Sequence, residues 1–141
     1  ALAEEKGVHL ELRGTCNAWG DRLMLRRAVS NLLSNALRYT PRSGTVVVCL
    51  SESNGLSRLS IENPGQTIPE HHLARLFERF YRADPSRQQA TGEGTGLGLA
   101  ITQAIVHAHQ GQVSVSSEAG RTCFVIQLPQ VPGSSNVLSD A

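Results

Sequence analysis

At 141 residues the chain has the size of one ordinary domain and is long enough to bury a core. Its formal net charge of +1 excludes a global field that would draw it to nucleic acid or to an anionic membrane, and no apolar run approaches the ~20 residues needed to span a bilayer. Lys6 is the single lysine among thirteen basic residues, which excludes both a Walker A loop and the strand lysine of a protein-kinase fold, so any nucleotide must be held by another design.

Residues 1–7 read as a cut end, the tail of a preceding helix. Val8–Leu12 alternates apolar and polar and predicts a half-buried strand. Arg13-Gly14-Thr15 should turn the chain, and Cys16–Trp19 is expected to form a short second strand. Asp21 is a good N-cap for a helix that Thr40-Pro41 must end, because proline disfavours helical geometry in its predecessor. After a turn over 41–44, Thr45–Leu50 is a β-branched strand, Glu52–Gly55 a hairpin turn and Ser57–Asn63 a second alternating strand.

Pro69–Tyr81 predicts a short helix with Leu73, Leu76, Phe77 and Phe80 inward. Residues 82–96 are polar and aperiodic, as a functional loop would be. A further helix from Leu97 should bury Leu97, Ile101, Ala104, Ile105 and Ala108 and stop at Gly111 as its C-cap. Gln112–Ser116 and Thr122–Leu128 form a last hairpin. The three cysteines form no CxxC pair, and Cys49 and Cys123, inside strand-like runs, are expected to be small buried hydrophobes rather than zinc ligands. Hairpins dominate, so the expected fold is α+β: a two-layer sandwich with a mixed, mainly antiparallel sheet and helices on one face. The domain should run over 1–131, with 132–141 a disordered tail.

Three features carry chemistry. On the first long helix Leu25, Val29, Leu32, Leu33, Ala36 and Leu37 form an apolar stripe, while Asn31, Asn35 and Arg38 align on another side with Tyr39 beside them. A carboxamide oxygen can coordinate a hard cation, a guanidinium can hold a phosphate and an aromatic face can stack on a base. Asn63 falls in the inward phase of its strand, where a buried amide needs partners that its own turn or a ligand can supply. Gly94-Thr95-Gly96-Leu97-Gly98 opens the later helix, and a glycine-led helix N-terminus presents free N–H groups and a positive dipole end to a phosphate.

In that order, from about Val8 to Leu128, these features resemble the N, G1, F and G2 boxes of the ATP-binding domain of sensor histidine kinases. The wording Glu62-Asn63-Pro64-Gly65 and Leu76–Arg87 is most similar to the heavy-metal-responsive branch. The resemblance implies the Bergerat fold, with ATP between the Asn helix and a lid made of residues 82–96. By family pattern Asn35 would coordinate Mg2+, Arg38 would take a phosphate and Tyr39 would contact base or ribose. Gly94, Gly96 and Gly98 would approach the phosphates, and Arg82 and Arg87 would reach the γ-phosphate. Asn31, Gly65, Ile68, Phe80, Thr95 and Leu97 would complete the nucleotide contacts. Most of the family has Asp where Asn63 stands; the Asn oxygen can still accept from the adenine amino group, without charge assistance, and its NH2 needs an acceptor of its own.

Relatives of the gyrase, Hsp90 and MutL type carry a water-activating Glu four residues before the metal Asn. Here that position is Asn31, which cannot accept a proton at neutral pH, so the resemblance implies phosphate transfer rather than hydrolysis. None of His9, His71, His72, His107 and His109 has the context of the family's phosphoacceptor, and all five read as surface or strand positions without chemistry. The implied partners are therefore the protein's own dimerisation and phosphoacceptor domain, absent here, and a cognate response regulator. The whole protein would be a homodimer through that absent part, and this fragment a monomer and the cytoplasmic domain of an inner-membrane protein. The alternatives are a nucleotide-binding regulatory module without transfer and an Hsp90- or gyrase-type hydrolase.

Overall fold

A computed structural model describes residues 7–78 and 98–130. Five strands form one sheet in the order β1-β2-β3-β5-β4: β1 (His9–Gly14), β2 (Thr45–Ser53), β3 (Leu56–Pro64), β4 (Gln112–Glu118) and β5 (Arg121–Pro129). β1 and β2 are parallel and the other three pairings antiparallel. The parallel pair needs a crossover, which is α1 (Arg22–Tyr39). A single turn, α2 (Glu70–Leu73), and a helix α3 (Gly98–Ala108) complete the described elements. The expected mixed sheet with a helical layer is what forms. Both hairpins close through two residues of positive φ, Asn54-Gly55 and Ala119-Gly120, the backbone that matches the strands' twist.

One face of the sheet carries the core. Val48, Ile61, Phe124 and Val115 lie in one cross-strand row, and Leu32 and Ala36 of α1 and Val106 of α3 pack onto this face. One row further along, the same face turns polar: Asn63, Thr122 and Ser117 are aligned across β3, β5 and β4. Cys49 and Cys123 alternate onto the opposite face, where they are free and half-buried rather than in the core. Burial first, then Glu62, raises the Cys123 thiol, so it stays protonated at neutral pH.

Several expected elements change on folding. β1 is exposed along its length, with Leu10 and Leu12 at 55% and 66% exposure, although they pair with buried Val46 and Val48. The helical layer stops short of this edge strand. The strand also runs on through Gly14 instead of turning there, and a Cβ on Gly14 would stand 2.1 Å from the Leu50 carbonyl oxygen. Residues 16–19 form no strand, because the Glu52 carboxylate accepts from the Asn17 N–H at 2.5 Å and the Ser57 hydroxyl donates to the Asn17 carbonyl, taking its backbone out of any ladder.

Of the helix expected over 69–81, residues 79–81 lie outside the described residues, and the described part is α-helical over one turn. Beyond Leu73 the chain continues through i→i+3 bonds, Arg75 to His72 at 3.0 Å, Leu76 to Leu73 at 3.3 Å and Glu78 to Arg75 at 3.0 Å. Its apolar side still reaches the core: Leu76 is buried, and Phe77 meets Phe124 edge-on at 6.0 Å between ring centres.

α3 buries Thr102, Ile105 and Val106, while Ala104 and Ala108, expected inward, are exposed. Its end is a Schellman turn in which Gln110, not Gly111, takes the left-handed conformation (φ 63°). Gly111 follows it and donates to the Val106 carbonyl at 2.9 Å. Glycine is required there because a Cβ would lie 2.3 Å from the Gln127 carbonyl oxygen. The tail over 132–141 and the loop over 82–96 lie outside the described residues.

Candidate nucleotide site

α1 sets out the site along its axis. Asp21 caps its start by accepting from the Met24 N–H at 3.0 Å, and Thr40 closes its end, donating its hydroxyl to the Ala36 carbonyl at 2.6 Å before Pro41. With Ala28, Leu32 and Ala36 buried against the sheet, Asn31, Asn35, Arg38 and Tyr39 are left half-buried on the flank. At 1.5 Å per residue, Asn31 to Tyr39 covers about 12 Å. The Arg38 guanidinium stands 5.5 Å from the centre of the Tyr39 ring.

Each end of this row meets another element. At the Asn31 end the carboxamide NH2 donates to the Gly98 carbonyl at 3.2 Å, which brings the first turn of α3 against α1. At the Tyr39 end the turn after β3 closes over the helix terminus. Gly65 has φ +152°, and a Cβ there would lie 3.0 Å from the Tyr39 carbonyl oxygen, so this approach needs glycine. Asn63, only 4% exposed, stands just before that turn.

Asn63 meets the expectation of a partner within its own turn. Its NH2 donates to the Pro64 carbonyl at 2.9 Å, so the turn supplies the acceptor that the amide required. A carbonyl partner accepts only from nitrogen, which orients the carboxamide and leaves Oδ1 as the acceptor on offer. Asn35, in the middle of the row, makes no side-chain hydrogen bond among the described residues.

The polar row of the sheet holds the turn that follows Asn63. The Gly65 N–H donates to the Gly120 carbonyl at 2.9 Å, and the Gly120 N–H to the Thr67 hydroxyl at 2.7 Å. The Ile68 N–H donates to Ser117 Oγ at 2.8 Å, which is bonded to Thr122 Oγ1 at 2.9 Å. Gly65 and Ile68 are thus stapled to the β4–β5 turn. Ser117, Thr122 and Thr67 were not picked out in the sequence, although the first two fall in the inward phase of their strands, as Asn63 does.

Asn31, Asn35, Arg38 and Tyr39 therefore share one flank of α1, Gly98 meets that row at Asn31 and Gly65 meets it at Tyr39, while Asn63 and Ile68 flank Gly65 in the turn held by the β4–β5 hairpin. Phe80, Arg82, Arg87, Gly94, Thr95, Gly96 and Leu97 lie outside the described residues. A cavity of about 90 Å³ opens at the other end of β3 from Asn63, between Cys16, Leu25, Ala28 and Leu59. Ser57, on its wall, is six residues, about 20 Å, along β3 from Asn63, and the walls are apolar, so this cavity is no part of the site.

The family profile for the histidine kinase-, DNA gyrase B- and HSP90-like ATPases matches residues 20–132. The chain belongs to that family. Within it the relatives are sensor kinases. The chain is 58% identical over 130 residues to the sensor histidine kinase CusS of Escherichia coli strain K12, covering 92% of this chain and 27% of CusS. It therefore spans about a quarter of the length of that curated relative. Among solved structures, a mycobacterial sensor histidine kinase, MprB, matches with a TM-score of 0.78 at 32% identity, over 93% of this chain and 88% of that one. The full-length histidine kinase ShkA in complex with AMPPNP matches with a TM-score of 0.78 at 28% identity, over 95% of this chain and 28% of that one. The fold is the histidine-kinase catalytic fold, and the chain is an ATP-binding domain of the protein-histidine-kinase type.

For a histidine-kinase domain the Asn at 63 has a testable consequence. In Asn63→Asp a carboxylate oxygen replaces the NH2 that lies 2.9 Å from the Pro64 carbonyl, at a position 4% exposed. A lost bond at a buried site costs about 1–3 kcal/mol, so the nucleotide-free domain should melt several degrees lower. An adenine amino group held at position 63, as the family resemblance implies, would give the new carboxylate a donor, in which case saturating Mg-ATP should narrow the gap. Thermal melts with and without nucleotide check this; an unchanged nucleotide-free midpoint would contradict the Pro64 bond.

Proposed function

We propose that the domain holds Mg-ATP along the flank of α1 and gives the γ-phosphoryl group to a histidine on a separate dimerisation domain of the same protein, from which it passes to a response regulator. The Asn63 Oδ1 accepts from the adenine amino group, with Tyr39, Gly65 and Ile68 around the base and ribose. Arg38, Asn35 and the start of α3 face the phosphates, joined by Arg82, Arg87 and the glycines at 94 and 96. The observation that carries this reading is the Asn35 carboxamide, half-buried and without a hydrogen bond among the described residues, midway along α1 between Asn31, which is bonded to Gly98, and Tyr39, which Gly65 approaches.

The donor set fits Mg2+ in a limited way. Asn35 offers one neutral oxygen, and no cluster of three His, Cys, Asp or Glu side chains exists among the described residues. Mg2+ is held through few protein ligands plus substrate phosphates, so this chain should hold it only together with the nucleotide. When bound, the ion neutralises charge on the phosphates. The chain's own residues orient the nucleotide and fix its register.

Transfer is favoured over hydrolysis by Asn31. Its NH2 is committed to the Gly98 carbonyl, and a carboxamide cannot take a proton from water. The sensor kinases among the relatives support a stimulus-driven role, and the resemblance at 62–87 makes a heavy metal the proposed stimulus. The domain would work on the cytoplasmic side of a membrane-anchored homodimer. No helix among the described residues is long and apolar enough to cross a membrane. The test is to supply the domain with radiolabelled γ-phosphate ATP, with and without a histidine-bearing dimerisation domain. Label on that domain and near-zero turnover without it are expected; steady release of phosphate by the isolated domain would sink the transfer reading.

A further inference from the structure

His109, expected at a surface or strand position without chemistry, is half-buried and bonded at both ring nitrogens. Nδ1 lies 2.8 Å from the Ile105 carbonyl, and Nε2 lies 3.0 Å from the backbone N–H of Asp21. A carbonyl can only accept and an amide N–H can only donate, so the ring is neutral with its proton on Nδ1. The ring also lies on Gly20: a Cβ there would stand 2.1 Å from Cδ2 and 2.5 Å from Nε2. His109 thus ties the end of α3 to the N-cap of α1.

Two more bonds share that seam. The Thr102 hydroxyl, fully buried, donates to the Ala28 carbonyl at 3.3 Å, and Asn31 donates to the Gly98 carbonyl at 3.2 Å. As the numbers fall along α1, from 31 through 28 to 21, they rise along α3, from 98 through 102 to 109. The helices are therefore antiparallel, and the outer bonds are about 15 Å apart on α1 and about 16.5 Å apart on α3. Three side-chain-to-backbone bonds at matched intervals fix how far α3 can slide along α1. In the nucleotide site proposed above, the Gly98 end is the end that faces the phosphates, and apolar ridges alone would leave that sliding less well determined.

We propose that His109 is a positioning residue for nucleotide binding: its neutral ring, bonded to Asp21 and seated on Gly20, sets the register of α3 against α1 and so the place of the phosphate-facing turn relative to Asn35. This rests on the nucleotide site proposed above. The base end of the site is built from β3 and the β4–β5 turn, so it should be insensitive to the clamp.

The test compares wild type, His109→Phe and His109→Gln in the 141-residue chain, with Mg-ATP and adenosine as probes. Phe keeps a ring but removes both polar atoms; Gln keeps an acceptor for Asp21. Misplacing contact groups by about an ångström can cost as much as 100-fold where geometry decides the effect, so His109→Phe should lose roughly tenfold in affinity for Mg-ATP and keep its affinity for adenosine. His109→Gln should recover part of the loss. Without nucleotide, the Asn31 side-chain amide signals should shift in His109→Phe and return toward wild type in His109→Gln. Equal losses for Mg-ATP and adenosine, as a loosened fold would give, would overturn the positioning role, as would unmoved Asn31 signals with unchanged Mg-ATP affinity. A wild-type chain that binds neither probe would overturn the nucleotide site itself and the positioning role with it.

Discussion

Asn35→Ala is expected to abolish the part of ATP affinity that depends on Mg2+. The carboxamide sits half-buried between Asn31, which is tied to Gly98, and the Arg38–Tyr39 pair. Its oxygen is a neutral ligand of the kind a hard cation takes, and it makes no hydrogen bond among the described residues. Losses around metal sites reach 10–100-fold even for outer-shell partners, so removal of the ligand should cost about 100-fold with Mg2+, or about 2.7 kcal/mol. With EDTA present, the variant and wild type should bind ATP alike. The fold will not obscure the result, because alanine is the better helix former by several tenths of a kcal/mol. A thermal midpoint at or above wild type is therefore expected beside the lost affinity. Calorimetric titration with and without Mg2+ reads both arms, and an unchanged Mg2+ dependence would remove Asn35 from the metal.

Phe124→Ala should produce the largest change in stability. The ring is 1% exposed, lies in the row of Val48, Ile61 and Val115, and meets Phe77 edge-on. Truncating a buried Phe costs about 3–5 kcal/mol, against a total of about 5–15 kcal/mol for a domain of ordinary stability. The loss is not only global. Phe77 and Leu76 hold the 70–78 segment to the core, and that segment leads directly toward residues 82–96. Urea unfolding should show a lower midpoint with an unchanged slope, and amide exchange at Leu76 and Phe77 should accelerate more than along β2. A stability loss under about 1 kcal/mol would mean that the cavity refills and that Phe124 is not the anchor.

The placement of the candidate site's side chains was easier to read from sequence than the packing around them. Asn31, Asn35, Arg38 and Tyr39 were visible because helical spacing alone places them on one flank, and Asn63 because strand alternation puts an amide where an apolar residue was due. The same alternation placed Ser117 and Thr122 inward, but a Ser or Thr at a strand end is too ordinary to notice until Ile68 is seen bonded to it. In α3 the alanines were misleading. Ala104 and Ala108 share the spacing of Ile101 and Ile105, so periodicity counted them as core, whereas Thr102 faces inward to reach the Ala28 carbonyl. Beyond Leu73, apolar spacing could not tell an α-helix from successive i→i+3 turns. For β1, alternation foretold a strand, but exposure depends on where the helical layer ends, which no local pattern records.

The most direct test replaces Mg2+ with paramagnetic Mn2+ in the presence of AMPPNP and follows the backbone amide signals of the labelled domain. Asn35 and Gly98 should broaden together at substoichiometric Mn2+, while Ser57 and Leu128 around the apolar cavity stay sharp. Sharp signals at both Asn35 and Gly98, or broadening centred on the cavity end, would contradict a triphosphate held between α1 and the start of α3.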